Sequence, residues 1–518
     1  MSLPGSRFRV FRHALLPRFC QQVERPLDCL LRVCPNYSRG RPQKAISEMS
    51  PKNQVRSFSF TLLLVAIAAL FQTGCNGMSG GSPTGTVTGP TGAAFIVGTD
   101  APLASVTSFS VQLQAVDAID STGKSVSLLS GTPTVDFARF NGLQTLLDMN
   151  DVPVGTYNSI SITLGTGTIG YLDTSGAGAP TIQTMPASFT SSTVSVTLAT
   201  PLVIAEAAAP VGLNVDFKLG KSIQVDAGGQ ITGQVTPTFD ITSVTTTDPK
   251  AHIDEFEAAV VSVDTTAQSF VVQGPHGRQF TVLVNAQTDW DGKLTLSDLT
   301  TSSIVEVAGV LDKTTSTLDA DEVEILTQTG FTASGQVTYV QPPTGTATSF
   351  DLYVRGLLPT TTGLTLGQIA TVDLSGTEDF DINWMRNRFS QFLFNPSGLV
   401  AGQSISIGGP ATGAASASAV TVKRVVLHHW GFNGTVVAGS IKPGKDTFQM
   451  QIKGFAGVLV PTPVTVYIGG KTDFRDGWGK MSDITDGATV RVVGLLLKDP
   501  VTGNTILLAR HVDDGKGI

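Results

Sequence analysis

The sequence predicts an all-β protein, a two-sheet sandwich followed by three small five-stranded barrels of OB type. Three observations carry that expectation. Short runs alternate apolar and polar residues with a period of two, which puts one face of each strand in a core and the other in water. Turn residues punctuate the runs: glycine occurs 55 times in 518 residues and only 14% of residues are charged, which leaves little for the solvated faces of long helices. In the C-terminal half, one succession of five short segments recurs three times in the same order.

The N-terminal part carries an address. In residues 60–77 (FTLLLVAIAALFQTGCNG) the unbroken apolar run covers 62–71, half of the roughly 20 residues that a membrane-crossing helix needs. Lys52 and Arg56 precede it and small polar residues follow, so residues 49–74 read as a signal peptide. Thr73-Gly74-Cys75 resembles the lipobox of bacterial lipoproteins, with Gln72 where that pattern favours Leu. The resemblance implies that Cys75 is diacylated, becomes the mature N-terminus and holds the protein to a membrane. Cleavage without lipid is the alternative. Asn76 after the cysteine implies, by the same resemblance, the outer membrane or cell surface, on the extracytoplasmic side of the envelope.

Residues 1–48 are Arg-rich and lack apolar periodicity, and Met49 opens a short basic segment. We expect translation to start at Met49, the alternative being an unusually long basic leader. Cys20, Cys29 and Cys34 lie upstream of the signal without paired CxxC spacing, and no cysteine follows Cys75. Neither a zinc site nor an internal disulfide of the exported chain is expected. Without residues 1–60 the chain keeps 23 basic and 38 acidic residues, near −15. Such a balance speaks against nucleic acid as a partner, which calls for a basic footprint.

Residues 75–92, rich in Gly, Ser, Thr and Pro, read as a flexible tether. The sandwich is expected over 93–247. Phe109, Val111, Leu113 and Ala115 alternate with polar residues, as do Ile160, Ile162 and Leu164, then Val194, Val196 and Leu198, then Leu213, Val215, Phe217 and Leu219. FIVGTDAP (95–102) and DVPVGTYNSISITLG (151–165) resemble an uncharacterised N-terminal domain of bacterial surface lipoproteins, and the V-P-x-G-x-Y element resembles a turn of prealbumin-like sandwiches. The resemblance implies a prealbumin-like fold and an envelope location, and no activity. Asp100 reads as a turn former.

Three copies follow, over 248–328, 329–427 and 428–518. Each has an opening strand (258–264, 333–340, 432–439), a Phe-containing strand (269–274, 349–356, 447–454) and an acidic-aromatic element (287–292, 376–381, 471–477). A glycine-ended strand (305–309, 405–409, 490–494) and a closing strand (320–326, 419–427, 505–512) complete the unit. Five short strands, with a glycine where the sheet coils sharply, suggest the OB barrel. The copies also resemble a small uncharacterised β-barrel repeat of bacterial envelope proteins.

Catalytic patterns such as GxSxG, HExxH, a Walker loop or GxGxxG between strand and helix are absent from the sequence. His428-His429 reads as a surface pair in a linker, since neighbours on a strand point to opposite faces. The acidic elements at Asp289–Gly292 and Asp473–Gly477 read as turns, where Asp and Gly are ordinary residues, with calcium as the sharper alternative. Residues 380–396 (FDINWMRNRFSQFLFNP) interleave Trp384, Phe389, Phe392 and Phe394 with Arg386 and Arg388. Either Phe389, Phe392 and Leu393 cover the barrel as a short helical plug, or Trp384, Arg386 and Arg388 contact a sugar.

The expectation is a non-catalytic envelope lipoprotein, a string of β domains for interaction or structural support, with no cofactor and no metal. Its partners would be the membrane, through the lipid, and an envelope protein or glycan. A glycan-binding module is the alternative. An enzyme using Asp379 and Asp381, two carboxylates on one strand face, is the remaining reading.

Overall fold

Strand Thr91–Asp100 lies at the centre of the first sheet, parallel to Val211–Phe217 and antiparallel to Thr145–Pro153. The computed structural model describes residues 89–515 except 101–104, 174–180, 207, 275–278, 291–293, 313–316, 360–362, 385–391, 411–419 and 476. Cys75, the signal segment, most of the tether, Arg386, Arg388 and Phe389 lie outside the described residues. No described helix is long and apolar enough to cross a membrane.

Phe239–Thr245 completes the four-stranded sheet, and the long antiparallel pair Val106–Asp120 and Gly155–Asp173 forms the centre of the facing one. A small third sheet joins Ser188–Phe189, Ile223–Val225 and Ile231–Val235. Between the main sheets Phe217 stacks on Phe239 (centroids 4.3 Å apart) and meets Phe109 and Phe137 edge-on. Alternation holds for Ile160, Ile162 and Leu164, but it breaks after Leu113. There the register shifts, so Val116 takes the buried place and Ala115 is half-buried. Leu219 is buried as expected, yet it opens a helical turn after the strand has ended at Phe217.

The V-P-x-G-x-Y element has a clear mechanism. Tyr157 is 4% exposed, and its hydroxyl donates to the Pro153 carbonyl at 2.7 Å. A Cβ on Gly155 would stand 3.3 Å from the Tyr157 ring, so glycine lets the ring fold back over the turn. Asp100, read as a turn former, instead ends the first strand, 1% exposed. Its carboxylate accepts from the Leu219 amide at 3.3 Å, and burial pushes its pKa well above the usual range.

The three copies are barrels of one topology. In each, strand one pairs with strands two and four, strand two with three, and strand four with five. Strand three, Gln279–Leu283, Ile369–Asp373 and Val464–Arg475 in the three copies, begins ahead of the acidic-aromatic element and is not among the five segments read from the sequence. It runs parallel to strand five, as at Val282↔Leu318, Val372↔Val420 and Thr465↔Ile506. That circuit, 1-2-3-5-4-1, is the OB arrangement of a five-stranded Greek-key barrel. A 3-10 turn precedes strand four in every copy: Leu296–Asp298, Pro396–Gly398 and Met481–Asp483.

The acidic elements differ from expectation. Asp289–Trp290, Asp379–Ile382 and Asp473–Arg475 lie in strands and run parallel to the closing strand of their barrel. Asp291, Gly292 and Asp476, which completed the calcium reading, lie outside the described residues.

The domains do not form a string. The first sheet is buried on both faces: Ala94 and Ile96 face the sandwich core, while Phe95, Val97, Leu146 and Met149 join the core of the first barrel. Val426 of the second barrel packs with Ile304 and Leu326 of the first. Leu495, Leu497, Ile506 and Leu508 of the third barrel join the core of the second. Because buried apolar area is the main favourable term in folding, these shared cores bind sandwich and barrels into one body.

Candidate functional site

Where the sandwich and the first two barrels meet, charged side chains are buried together. The 3-10 turn Phe137–Phe140 sends Phe137 and Phe140 into the sandwich core and leaves Arg139 facing the first barrel. Arg139 Nε donates to Glu255 Oε1 at 2.9 Å and Nη2 to Glu257 Oε1 at 2.5 Å, with a further Nη2 contact to Glu255. Glu257 opens the first strand of barrel one. Directly across the ladder stands Glu306, and across from that Glu324. Three like charges in a cross-strand row are destabilising by themselves.

Each of these carboxylates is met from another domain. Arg139 of the sandwich takes Glu257. Asn383 of barrel two donates to Glu306 Oε1 at 2.7 Å. His428 Nδ1 stands 3.3 Å from the same oxygen, an ion pair without hydrogen-bond alignment. Arg424 Nη2 donates to Glu324 Oε1 at 2.6 Å. Burial works against charging His428, but Glu306, Glu255 and Glu257 outweigh it and hold the pKa up at about 9. Burial, with Glu306 and Glu257, keeps the Glu255 carboxyl above its usual range against the pull of Arg139.

Ligand oxygens of Glu255, Glu257 and Glu306 lie within 4.8 Å of one another, a donor set suited to a hard cation. Arg139 and His428 already supply positive charge to that point. Beside it, Arg355 Nε stands 3.4 Å from Asp136 Oδ2, and the guanidinium carbon lies 4.6 Å from the Trp430 ring centroid. A cleft of about 390 Å³ opens from this floor between sandwich, barrel one and barrel two.

His428-His429 is a correction. The two residues do point to opposite faces, yet neither is on the surface, at 7% and 4% exposure. His429 faces a second cluster with His511, and burial first, then Arg510 and His511, hold its pKa well below the usual value. His511 is lowered too, chiefly by burial, although Asp473 Oδ2 lies 3.7 Å from its Nδ1. Nearby, His252 places Nδ1 3.1 Å from Asp254 Oδ1 and Nε2 3.2 Å from Asp321 Oδ2. These two carboxylates overcome its burial and raise its pKa to about 9.

In the 380–396 segment Trp384 and Phe392 are half-buried against the core of barrel two, and Phe394 is buried with its ring edge-on to Phe380 at 5.2 Å. Leu393, expected in the plug, is 77% exposed, so Phe394 takes that role. Asp379 and Asp381 share a face as expected, and both accept from Arg424, at 2.6 and 3.1 Å.

Sequence reasoning missed Arg139, Glu255, Glu257, Glu306 and Glu324. Alternation assigns Glu306 and Glu324 to the face away from their barrel's core, which is correct, but period two cannot tell whether water or another domain covers that face. The available signal was an acidic row, at Glu257, Glu306 and Glu324, with no basic residue on the same strands.

Two family models match the chain, both described as domains of unknown function: DUF4382 over residues 95–234 and DUF5666 over residues 257–324. No curated protein matches it. The chain is thus similar to two domains of unknown function, one within the sandwich and one within the first barrel.

Proposed function

We propose that the protein is a non-catalytic, lipid-anchored component of the cell envelope, a rigid β scaffold for interaction or structural support. One observation carries the reading: the acidic row of barrel one is met from neighbouring domains by the cations Arg139, His428 and Arg424 and by the amide of Asn383. Barrels joined in this way hold a fixed shape at the end of a tether, which suits a part that bears on other molecules. The lipobox-like Thr73-Gly74-Cys75 supports the location. Asp379 and Asp381, the carboxylates of the enzyme reading, are both engaged by Arg424. The test is mass spectrometry of the mature N-terminus, with membrane fractionation of wild type and Cys75→Ser. A diacylated Cys75 and release of the variant into the soluble fraction are expected. An unmodified N-terminus on exported protein, or a cytosolic wild type, would overturn the proposal.

A further inference from the structure

We propose that the cleft between the sandwich and the first two barrels binds a small amphipathic cation, an apolar body carrying one ammonium group. This goes beyond the scaffold reading and does not depend on the lipid anchor. At about 390 Å³ the cleft falls in the size range of small-molecule sites, which concentrate at domain junctions and combine apolar walls with a few convergent polar groups.

The walls come from three domains: Phe140 and Leu147 of the sandwich, Phe280 of barrel one, and Leu357 and Leu366 of barrel two. A bare metal ion would leave this hydrocarbon lining wet, whereas an aromatic or alkyl body would cover it. Leu366, 51% exposed, stands at the lip, where apolar area gains most from being covered.

The floor sets the sign of the head group. Among the described residues, Asp136, Asp148, Glu255 and Glu257 line the cleft against two guanidiniums, Arg139 and Arg355. Those two are already committed, Arg139 to the glutamates and Arg355 to Asp136. Four carboxylates against two fixed cations leave a negative surplus between low-dielectric walls, which focus its field on whatever enters. An ammonium group offers three donors and one charge to such a floor, while a carboxylate ligand would be repelled.

The test titrates the full-length protein with three probes that share one body and differ in head charge: tryptamine, indole-3-ethanol and indole-3-propionate. Calcium chloride alone is the fourth arm, and binding is read by saturation-transfer NMR and calorimetry. Tryptamine is expected to bind about tenfold more tightly than the neutral probe, and the anion weakest. Thr134→Arg, a change at an exposed residue lining the cleft, adds a competing guanidinium and is expected to weaken tryptamine about tenfold. Thr132→Arg, also exposed and lining the cleft, serves if the first variant does not melt like wild type. Equal binding of the three indoles, no binding of tryptamine, binding of calcium alone, or tryptamine binding unchanged in a folded Arg variant would each overturn the proposal.

Discussion

Tyr353 of the second barrel donates its hydroxyl proton to Ser108 Oγ of the sandwich at 2.9 Å, across 245 residues of sequence. Thr107 Oγ1 lies 3.3 Å from the same oxygen, and the tyrosine is fully buried. A Cβ on Gly170 would come within 2.9 Å of that oxygen, so the sandwich leaves room for the hydroxyl only because residue 170 has no side chain. Tyr353→Phe removes one buried hydrogen-bonding group without creating a cavity. It is expected to cost about 1 kcal/mol, seen as a lower urea midpoint with an unchanged slope. A second transition in the variant would show that the sandwich and barrel two unfold separately in its absence.

Removing Arg139 should be far more costly. Arg139→Met keeps much of the side-chain volume but leaves Glu255 and Glu257 facing each other without a guanidinium. Breaking a buried pair by deleting one partner costs about 3–5 kcal/mol, because the charge left behind is uncompensated. Urea unfolding checks this, and the double variant Arg139→Met with Glu255→Gln should recover part of the loss. If the single variant is as stable as wild type, the network contributes nothing to joining the domains.

Much of the fold was legible because it depends on local rules. The glycines of strand four are the clearest instance, although the strands run on past Gly309 to Leu311 and past Gly494 to Lys498. Ladder register shifts at Ala308/Gly309 and at Val493/Gly494, where the strand bulges and coils into the barrel. A Cβ on Gly494 would stand 2.3 Å from the Leu508 carbonyl oxygen of the closing strand. Backbone rather than a flexible side chain fills that space, so Gly494→Ala must move a strand and is expected to cost about 1–3 kcal/mol. A thermal melt of the variant measures it, and an unchanged midpoint would refute the close approach.

The junction was not legible, and the reason is physical. Period two separates the two faces of a strand: Val305 and Val307 lie in the barrel core and Glu306 on the other face. It contains no information about what covers the outer face. Glu306 meets Asn383 and His428 only because the later domains fold back on the earlier ones, a contact of high sequence separation that no local pattern encodes. His428 and His429 were misplaced for the same reason.

Trp384 separates the two readings of the 380–396 segment. Its ring is half-buried against the core of barrel two, beside Phe392 and the Phe380–Phe394 pair. If it serves as cover, Trp384→Ala should lower stability by about 1–3 kcal/mol, less than the loss of a fully buried aromatic side chain. Differential scanning fluorimetry reads the loss. A variant with unchanged stability and lost binding on a glycan array would favour the sugar-contact reading.

The histidines set opposite pH limits on stability. His252 and His428 rise from 6.5 to about 9 in the folded protein. Their contribution is therefore fully present below pH 6.5 and is lost as pH climbs from there through about 9. By linkage each shift is worth up to about 3 kcal/mol. His429 and His511 are lowered from 6.5, so what they contribute is present above that pH and lost as it falls through their folded values. Stability limited on both sides should crest near pH 6.5, the ordinary histidine value shared by the unfolded chain. Urea unfolding between about pH 5 and about pH 9.5 traces the curve. His428→Asn should flatten the alkaline side and His429→Asn the acid side, each leaving the other intact. A wild-type profile level from pH 6.5 to 9 would show that His252 and His428 are not charged in the folded protein.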